Sequence, residues 1–276
     1  MRGKYVPDYE TILYDEKDRV AWVTLNRPDV HNAFNAKMQH ELRDMWRALR
    51  ANDDIRCAVL TGAGEKAFCT GIDRTETMGG NRPDELELGS GSTPFMFDDP
   101  GENIGPKSND MWKPVIAAVN GMACGGAFYM LGEVEFIIAA EHATFFDPHV
   151  TYGMTSAFEP IHMLQKMPFS EIMRLSLLGN HERMSAQRAF QIGLVSEVVA
   201  ATDLHDTAAW SAQAIASAPP LAIQGTLRAI WMGLEQSRLQ ALDQAYGYIA
   251  MGTNQESIAE GQAAFSSGKR IEWRLR

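Results

Sequence analysis

Acid–base chemistry near neutral pH needs an imidazole, or a carboxylate whose pKa has been displaced. The chain offers 7 histidines and 35 acidic residues from which to draw one. His149, in FFDPHVTYG, stands in a loop after a run that reads as a buried strand. It is competent as a general acid or base, since an unperturbed imidazole titrates at about pH 6.5. Its nearest carboxylates in sequence are Asp147 and Glu159. Residues two apart on a strand share a face, so Asp147 is expected to orient the ring only if the Pro148 region stays extended. Glu133 and Glu135 read as structural or solvated acids, and His142, in AAEHATF, as a surface residue in a turn. His31, His40, His162, His181 and His205 show no metal-ligand spacing, and neither HExxH nor CxxC occurs, so no metal is expected. GxGxxG and Walker-type loops are missing as well, which argues against a nucleotide-redox or NTP-using enzyme.

Two strand-turn units offer backbone chemistry instead: AVLTGAGEKAFCTGIDR (58–74) and PVIAAVNGMACGGAFYMLGE (114–133). In the second, an apolar run leads into Asn120-Gly121, then Gly125-Gly126, then a helix expected to begin near Ala127. Glycines let a backbone approach a ligand closely, and a helix start presents unpaired N–H groups. Either turn alone also fits simple tight packing against a strand.

The elements that must hold these turns are legible from periodicity. Val20 to Leu25, Cys57 to Leu60, Val115 to Val119, Phe136 to Ala140 and Leu194 to Val199 read as buried strands. Met38, Leu42, Met45, Trp46 and Leu49 recur at helical spacing within Ala36 to Leu49, with Asn35 placed as N-cap. Ser170 and Ser185 are expected to cap helices Glu171 to Leu178 and Ala186 to Ile192, the second closed by Gly193. This alternation indicates an α/β fold over residues 1–200. Residues 201–276 read as three or four amphipathic helices, including Leu204 to Ser217 and Leu239 to Met251, a covering or assembly region. Arg74 to Asp110 is irregular and rich in Gly, Pro, Asp and Ser, as a long functional loop would be. Trp112, Phe95, Met96 and Phe97 are expected to lid or line a pocket there.

Composition sets the outer limits. With 45% hydrophobic and 22% charged residues the chain suits an ordinary globular protein. A net charge of -10 argues against nucleic-acid binding, which needs clustered cations. Three cysteines in apolar runs fit free thiols in a reducing compartment. The first twenty residues lack the apolar segment of a signal peptide, and no apolar run is long enough for a membrane span, so a cytoplasmic protein is expected.

Taken together, NRPDVHNAFNAKM (26–38), KAFCTGID (66–73), KPVIAAVNGMACGG (113–126) and EGQAAF (260–265) resemble the crotonase (enoyl-CoA hydratase/isomerase) superfamily in order and spacing. The resemblance implies a spiral of repeated ββα units with a C-terminal helical region, assembled as a homotrimer or a dimer of trimers. It implies an acyl-CoA substrate, with coenzyme A part of that substrate and no separate cofactor. By position, the backbone N–H groups of Ile72, after Gly71, and of Gly126, after Gly125, would form an oxyanion hole for a thioester enolate. Lys66 and Asp73 fall at positions the family uses around the CoA site, although both also suit a solvated loop. Where a standard hydratase carries its two glutamates, this chain has Tyr129 and His149. Ordinary enoyl-CoA hydration is therefore not the default expectation. Tyr129 is expected to orient water, donate a hydrogen bond or line the pocket. A histidine followed by an acid near Glu159 resembles the crotonase branch that hydrolyses C–C bonds of diketones, offset by one position from its aspartate.

Three functions follow. The first is an acyl-CoA lyase, isomerase or hydrolase that uses His149 as proton shuttle. The second is a C–C hydrolase of a β-diketone or β-keto thioester. The third is a protein that binds acyl-CoA without turnover.

Overall fold

In the computed structural model, residues 8–75, 99–268, 271 and 273–276 are described. Among these residues ten strands form two sheets. Strands β1 (Ile12–Lys17), β2 (Val20–Leu25), β3 (Cys57–Gly62), β5 (Val115–Val119), β7 (Phe136–Ala140) and β10 (Glu197–Val199) lie side by side in that order. Strands β4 (Ala67–Cys69), β6 (Met122–Cys124), β8 (Thr144–Phe146) and β9 (Met184–Ser185) make the second sheet. Among the described residues only the β1–β2 and β8–β9 pairs are antiparallel. Each of β3, β5 and β7 passes by a short turn into β4, β6 and β8, and helices Gly101–Ile104, Ala127–Glu133 and Phe158–Met163 lie along the segments that follow these. This is the expected spiral of ββα turns. The turns at Gly71 and at Gly125-Gly126 directly follow strands β4 and β6 of the second sheet.

Strands β3, β5 and β7 are continuous apolar runs because both of their faces are covered. Ala58, Leu60, Val115, Ala117, Val119, Ile137 and Ala139 join one core cluster; Cys57, Val59, Ile116, Ala118, Ile138 and Ala140 join the other. Helix Leu204–Ala216 closes the second cluster through Leu204, Ala208, Ala212 and Ala216, a four-residue repeat of one helix face. The last strand ends at Val199, close to the expected change of pattern at 200, yet this first helix beyond it belongs to the core. Helices Pro220–Glu235, Arg238–Gly252 and Gln255–Ser266 complete the helical region. Among the described residues no helix is long and apolar enough to cross a membrane.

Local expectations meet two corrections. The Asn35 side chain accepts the Met38 N–H and Ser185 accepts the Arg188 N–H, as caps should. Ser170 does not cap: its helix, Phe169–Leu178, starts directly after Pro168. Strand β10 begins at Glu197 rather than Leu194. Leu194 and Val195 are buried, but both N–H groups bond back to the Ala189 carbonyl after Gly193 (φ 86°) reverses the chain. Their apolarity reports burial, not a strand. Phe95, Met96 and Phe97 lie outside the described residues.

Asn32 ties the N-terminal segment to the first glycine turn. It is fully buried at φ 56°, donates to the Ala63 and Ala67 carbonyls at 3.0 and 2.9 Å, and accepts the Arg27 N–H at 3.0 Å. Asn32→Ala strands those buried groups and is expected to cost about 2–3 kcal/mol of unfolding free energy. Urea titration followed by tryptophan fluorescence reads the loss; a change within error would show that the β3–β4 turn holds without it.

Candidate functional site

The knot around Asn32 delivers Phe34 to the first glycine turn, where it forms an isolated parallel bridge with Ile72. Phe34 donates its N–H to the Gly71 carbonyl at 2.9 Å and accepts the Asp73 N–H at 2.9 Å. Neighbouring residues of an extended segment alternate the direction of their N–H groups, so the Ile72 N–H points away from Phe34. Among the described residues it has no hydrogen-bond acceptor, and neither has the Gly126 N–H.

The two turns touch backbone to backbone. A β-carbon on Gly71 would lie 2.9 Å from the Gly126 nitrogen, and Gly71 is left-handed at φ 84°. A β-carbon on Gly126 would fall 2.6 Å from the Phe34 ring. Pairing of β4 with β6 sets this approach, and Gly126 is the N-cap of helix Ala127–Glu133. Two free N–H groups thus converge beside a helix start.

His149 closes the same space. A β-carbon built on Gly125, itself left-handed at φ 53°, would lie 3.5 Å from His149 Cε1, so the imidazole packs against this turn. His149 opens a short 3₁₀ turn, His149–Tyr152, after β8. Its Nδ1 lies 2.5 Å from Asp147 Oδ1, and the same oxygen accepts the His149 backbone N–H at 3.1 Å. The expected route to this pairing is corrected. Pro148 is helical (φ -84°, ψ -7°), not extended, and the carboxylate reaches the ring through an Asx-type turn. Ser156 donates to the other oxygen, Asp147 Oδ2. On the ring's far edge, Nε2 is 3.4 Å from Glu159 Oε1, presented by helix Phe158–Met163.

The charges of the cluster are set apart by environment. Burial opposes ionisation of Asp147, but hydrogen bonds from His149 and Ser156 outweigh it and hold its pKa below the usual carboxylate range. The hydrogen bond to Asp147 raises the His149 pKa above its ordinary value, against partial desolvation. Burial raises the Glu159 pKa, favouring its protonated form. Tyr129 is buried and donates to Asp99 Oδ1 at 2.8 Å. Desolvation and the neighbouring Glu159 and Asp99 push its phenol pKa upward, so it serves as a donor and not as a base.

The remaining sequence candidates fall outside this cluster. Asp73 is buried rather than solvated, paired with Arg27 of the N-terminal segment at 2.8 Å and bonded by Thr75. Lys66 is exposed on the β3–β4 turn. Trp112, expected at the acyl pocket, instead donates to Asp110 at 2.5 Å and lies under Arg228, 3.8 Å from its ring, and Lys107. None of its described contacts is with the His149 cluster; the indole docks helix Pro220–Glu235. Glu133 and Glu135 are structural: Glu133 accepts the Lys107 and Ser108 N–H groups, and Glu135 pairs with Lys107 and accepts the Trp231 N–H. Sequence reasoning missed Asp99, Ser156 and Phe34. Only tertiary approach brings the first two to Tyr129 and Asp147, and Phe34 looked like ordinary core.

Among the described residues no group of three or more His, Cys, Asp or Glu is placed to hold a metal ion. All three cysteines are free and buried.

Comparison with known proteins agrees along nearly the whole chain. Residues 15–276 match the family model described as enoyl-CoA hydratase/isomerase. The chain is 34% identical over 266 residues to (E)-benzylidenesuccinyl-CoA hydratase of Thauera aromatica, covering 95% of this chain and 98% of that one. It is 30% identical over 263 residues to carnitinyl-CoA dehydratase of Proteus mirabilis, covering 92% and 94%. An enoyl-CoA hydratase/isomerase structure from Mycobacterium paratuberculosis superposes with a TM-score of 0.85 at 36% identity, over 97% of this chain and all of that one. An enoyl-CoA hydratase from Mycobacterium tuberculosis gives 0.81 at 26% identity, covering 96% and 98%.

Asp147→Asn removes the largest influence on the imidazole, so the NMR titration of the His149 Cε1 proton should move to lower pH. The folded pKa lies above the ordinary 6.5. Protonated His149 therefore contributes stability that is complete below about pH 6.5 and is lost as pH rises through the folded value. The Asn variant should lose this dependence; an unmoved titration would show that Asp147 does not govern the ring.

Proposed function

The chain belongs to the enoyl-CoA hydratase/isomerase family, and on that premise we propose that it adds water to, or removes it from, the acyl chain of a CoA thioester, with His149 and Glu159 as its acid–base pair. The single observation that carries this reading is the 3.4 Å contact between His149 Nε2 and Glu159 Oε1, beside the turn that bears the free Gly126 N–H.

Each group then has a task. The N–H groups of Ile72 and Gly126 hold the thioester oxygen and stabilise the enolate as charge develops there; loss of one such donor typically costs about 2.7–4 kcal/mol. Neutral His149 takes a proton from water as its oxygen attacks Cβ, and Asp147 stabilises the imidazolium that forms. Protonated Glu159 gives its proton to Cα. The imidazolium Nε2 proton then passes to the Glu159 carboxylate and restores both groups. Water has been added as OH on Cβ and H on Cα, with no proton left over. Dehydration is the same path reversed, which suits relatives named as a hydratase and a dehydratase. His149 and Glu159 stand here in place of a glutamate pair. Exposed apolar residues of the C-terminal helices, among them Leu239, Leu242, Tyr246 and Ile249, support a homotrimer or dimer of trimers.

One observation favours a second reading. A histidine backed by an ionised aspartate also suits activation of water for attack on a carbonyl, with cleavage of a β-keto thioester.

Incubation with crotonyl-CoA followed by mass spectrometry tests the proposal. Gain of one water supports hydration; cleavage of acetoacetyl-CoA to acetate and acetyl-CoA, with crotonyl-CoA untouched, replaces it with the second reading. Binding of both thioesters by the folded protein with neither converted would make it an acyl-CoA binding protein. His149→Ala should lower kcat by about 100-fold or more with the fold intact, and full activity in this variant would remove His149 from the chemistry. The pair must keep one proton between its members, so kcat/KM should follow a bell. Its acid limb should lie above the ordinary Glu value of 4.5 and its alkaline limb above the ordinary His value of 6.5. A profile flat across this range would exclude a shared proton.

A further inference from the structure

We propose that Arg74 binds a second carboxylate, carried on the acyl group, so that the preferred substrates are CoA thioesters of dicarboxylic acids. This rests on the thioester reading above and adds the acyl class to it.

Arg74 follows Ile72 by two residues, and its guanidinium carbon lies 4.2 Å from the centre of the Tyr152 ring. Tyr152 belongs to the same 3₁₀ turn as His149, so the cation stands at the edge of the acid–base cluster. His149 senses that positive charge, which opposes its protonation. The Tyr152 hydroxyl accepts a hydrogen bond from Asn180 at 2.9 Å, which fixes the ring on which Arg74 rests.

The guanidinium makes no ion pair with a carboxylate among the described residues. Its nearest candidates are engaged elsewhere: Asp73 by Arg27 and Thr75, Asp147 by His149 and Ser156. Among the described residues, a cation left in this state beside the candidate site is a signal. Stacking uses only the flat face of a guanidinium. Among the described residues the in-plane N–H donors have no acceptor, and their fork geometry matches a carboxylate. Arg74 is half-buried, so a ligand can reach it while water screens it less than on an open surface.

Calorimetric binding of saturated thioesters tests this without turnover. Succinyl-, glutaryl- and adipyl-CoA are compared with butyryl-, valeryl- and hexanoyl-CoA, matched for chain length. One diacid should bind about tenfold or more tighter than its partner. Arg74→Gln should erase that preference and leave the monoacid affinities unchanged, while Arg74→Lys should keep part of it. Absence of any diacid preference in the native protein would overturn the inference. So would an equal loss of both series in Arg74→Gln, which would assign Arg74 to the CoA moiety. Failure of every thioester to bind the folded protein would instead overturn the thioester reading. Unchanged circular dichroism and melting of the partly exposed variant establish that the comparison is between folded proteins.

Discussion

Gly71 and Gly126 meet with no space for a β-carbon at either, and their neighbours arrange themselves around that contact. The approach needs a left-handed residue at 71 and a flat, side-chain-free surface at 126. It also needs two strands, β4 and β6, held in parallel so that the turns leaving them arrive together. The Phe34 ring then packs against Gly126 while its backbone engages both residues flanking Ile72. Close approach of two backbones thus leaves the Ile72 and Gly126 N–H groups without an acceptor among the described residues.

The ionisable groups work because their surroundings push them in different directions. Asp147 is kept ionised by the donors around it, and its charge favours the imidazolium. Glu159, across the ring, has burial against it and few compensating donors, which favours its acid form. One histidine therefore stands between a carboxylate that supports positive charge and another suited to hold a proton. Tyr129 and Asp99 continue this polar chain inward, so the buried side of the pocket is hydrogen-bonded rather than left unsatisfied.

Away from the site, cations and indoles secure the helical region. Arg228 lies on Trp112, Lys166 and Lys107 face Trp231, and Glu135 joins Lys107 to the Trp231 N–H. Glu135 also accepts the Val115 N–H at the start of β5, and Glu133, next to it at the end of helix Ala127–Glu133, orders the 107–108 turn. Glu133 ends the helix that Gly126 caps and Glu135 lies just beyond it, so attachment of the C-terminal helices and placement of the backbone donors share one segment.

Most of the architecture was legible because burial on two faces writes itself into sequence. VIAAV and FIIAA have no polar interruption, and they are strands to the residue. Caps were equally plain at Asn35 and Ser185, where a short side chain meets its own backbone three residues on. Such signals are local, and so are the glycine turns. Residues that act through space were harder to see. Asp147 was in view, but only the turn at Pro148 decides that its carboxylate meets His149. Asp99 and Ser156 carry no local mark, since their partners are 30 and 9 residues away. Trp112 misled for the same reason: a large aromatic after a long loop suits a pocket or a helix dock equally, and only packing chooses. Sequence by itself determined the strand runs at 20–25, 57–60, 115–119 and 136–140, the glycine turns and the placement of His149 after β8, because each depends on neighbours along the chain. Tertiary structure decided which carboxylates flank that histidine and which N–H groups stay free, because those depend on neighbours in space.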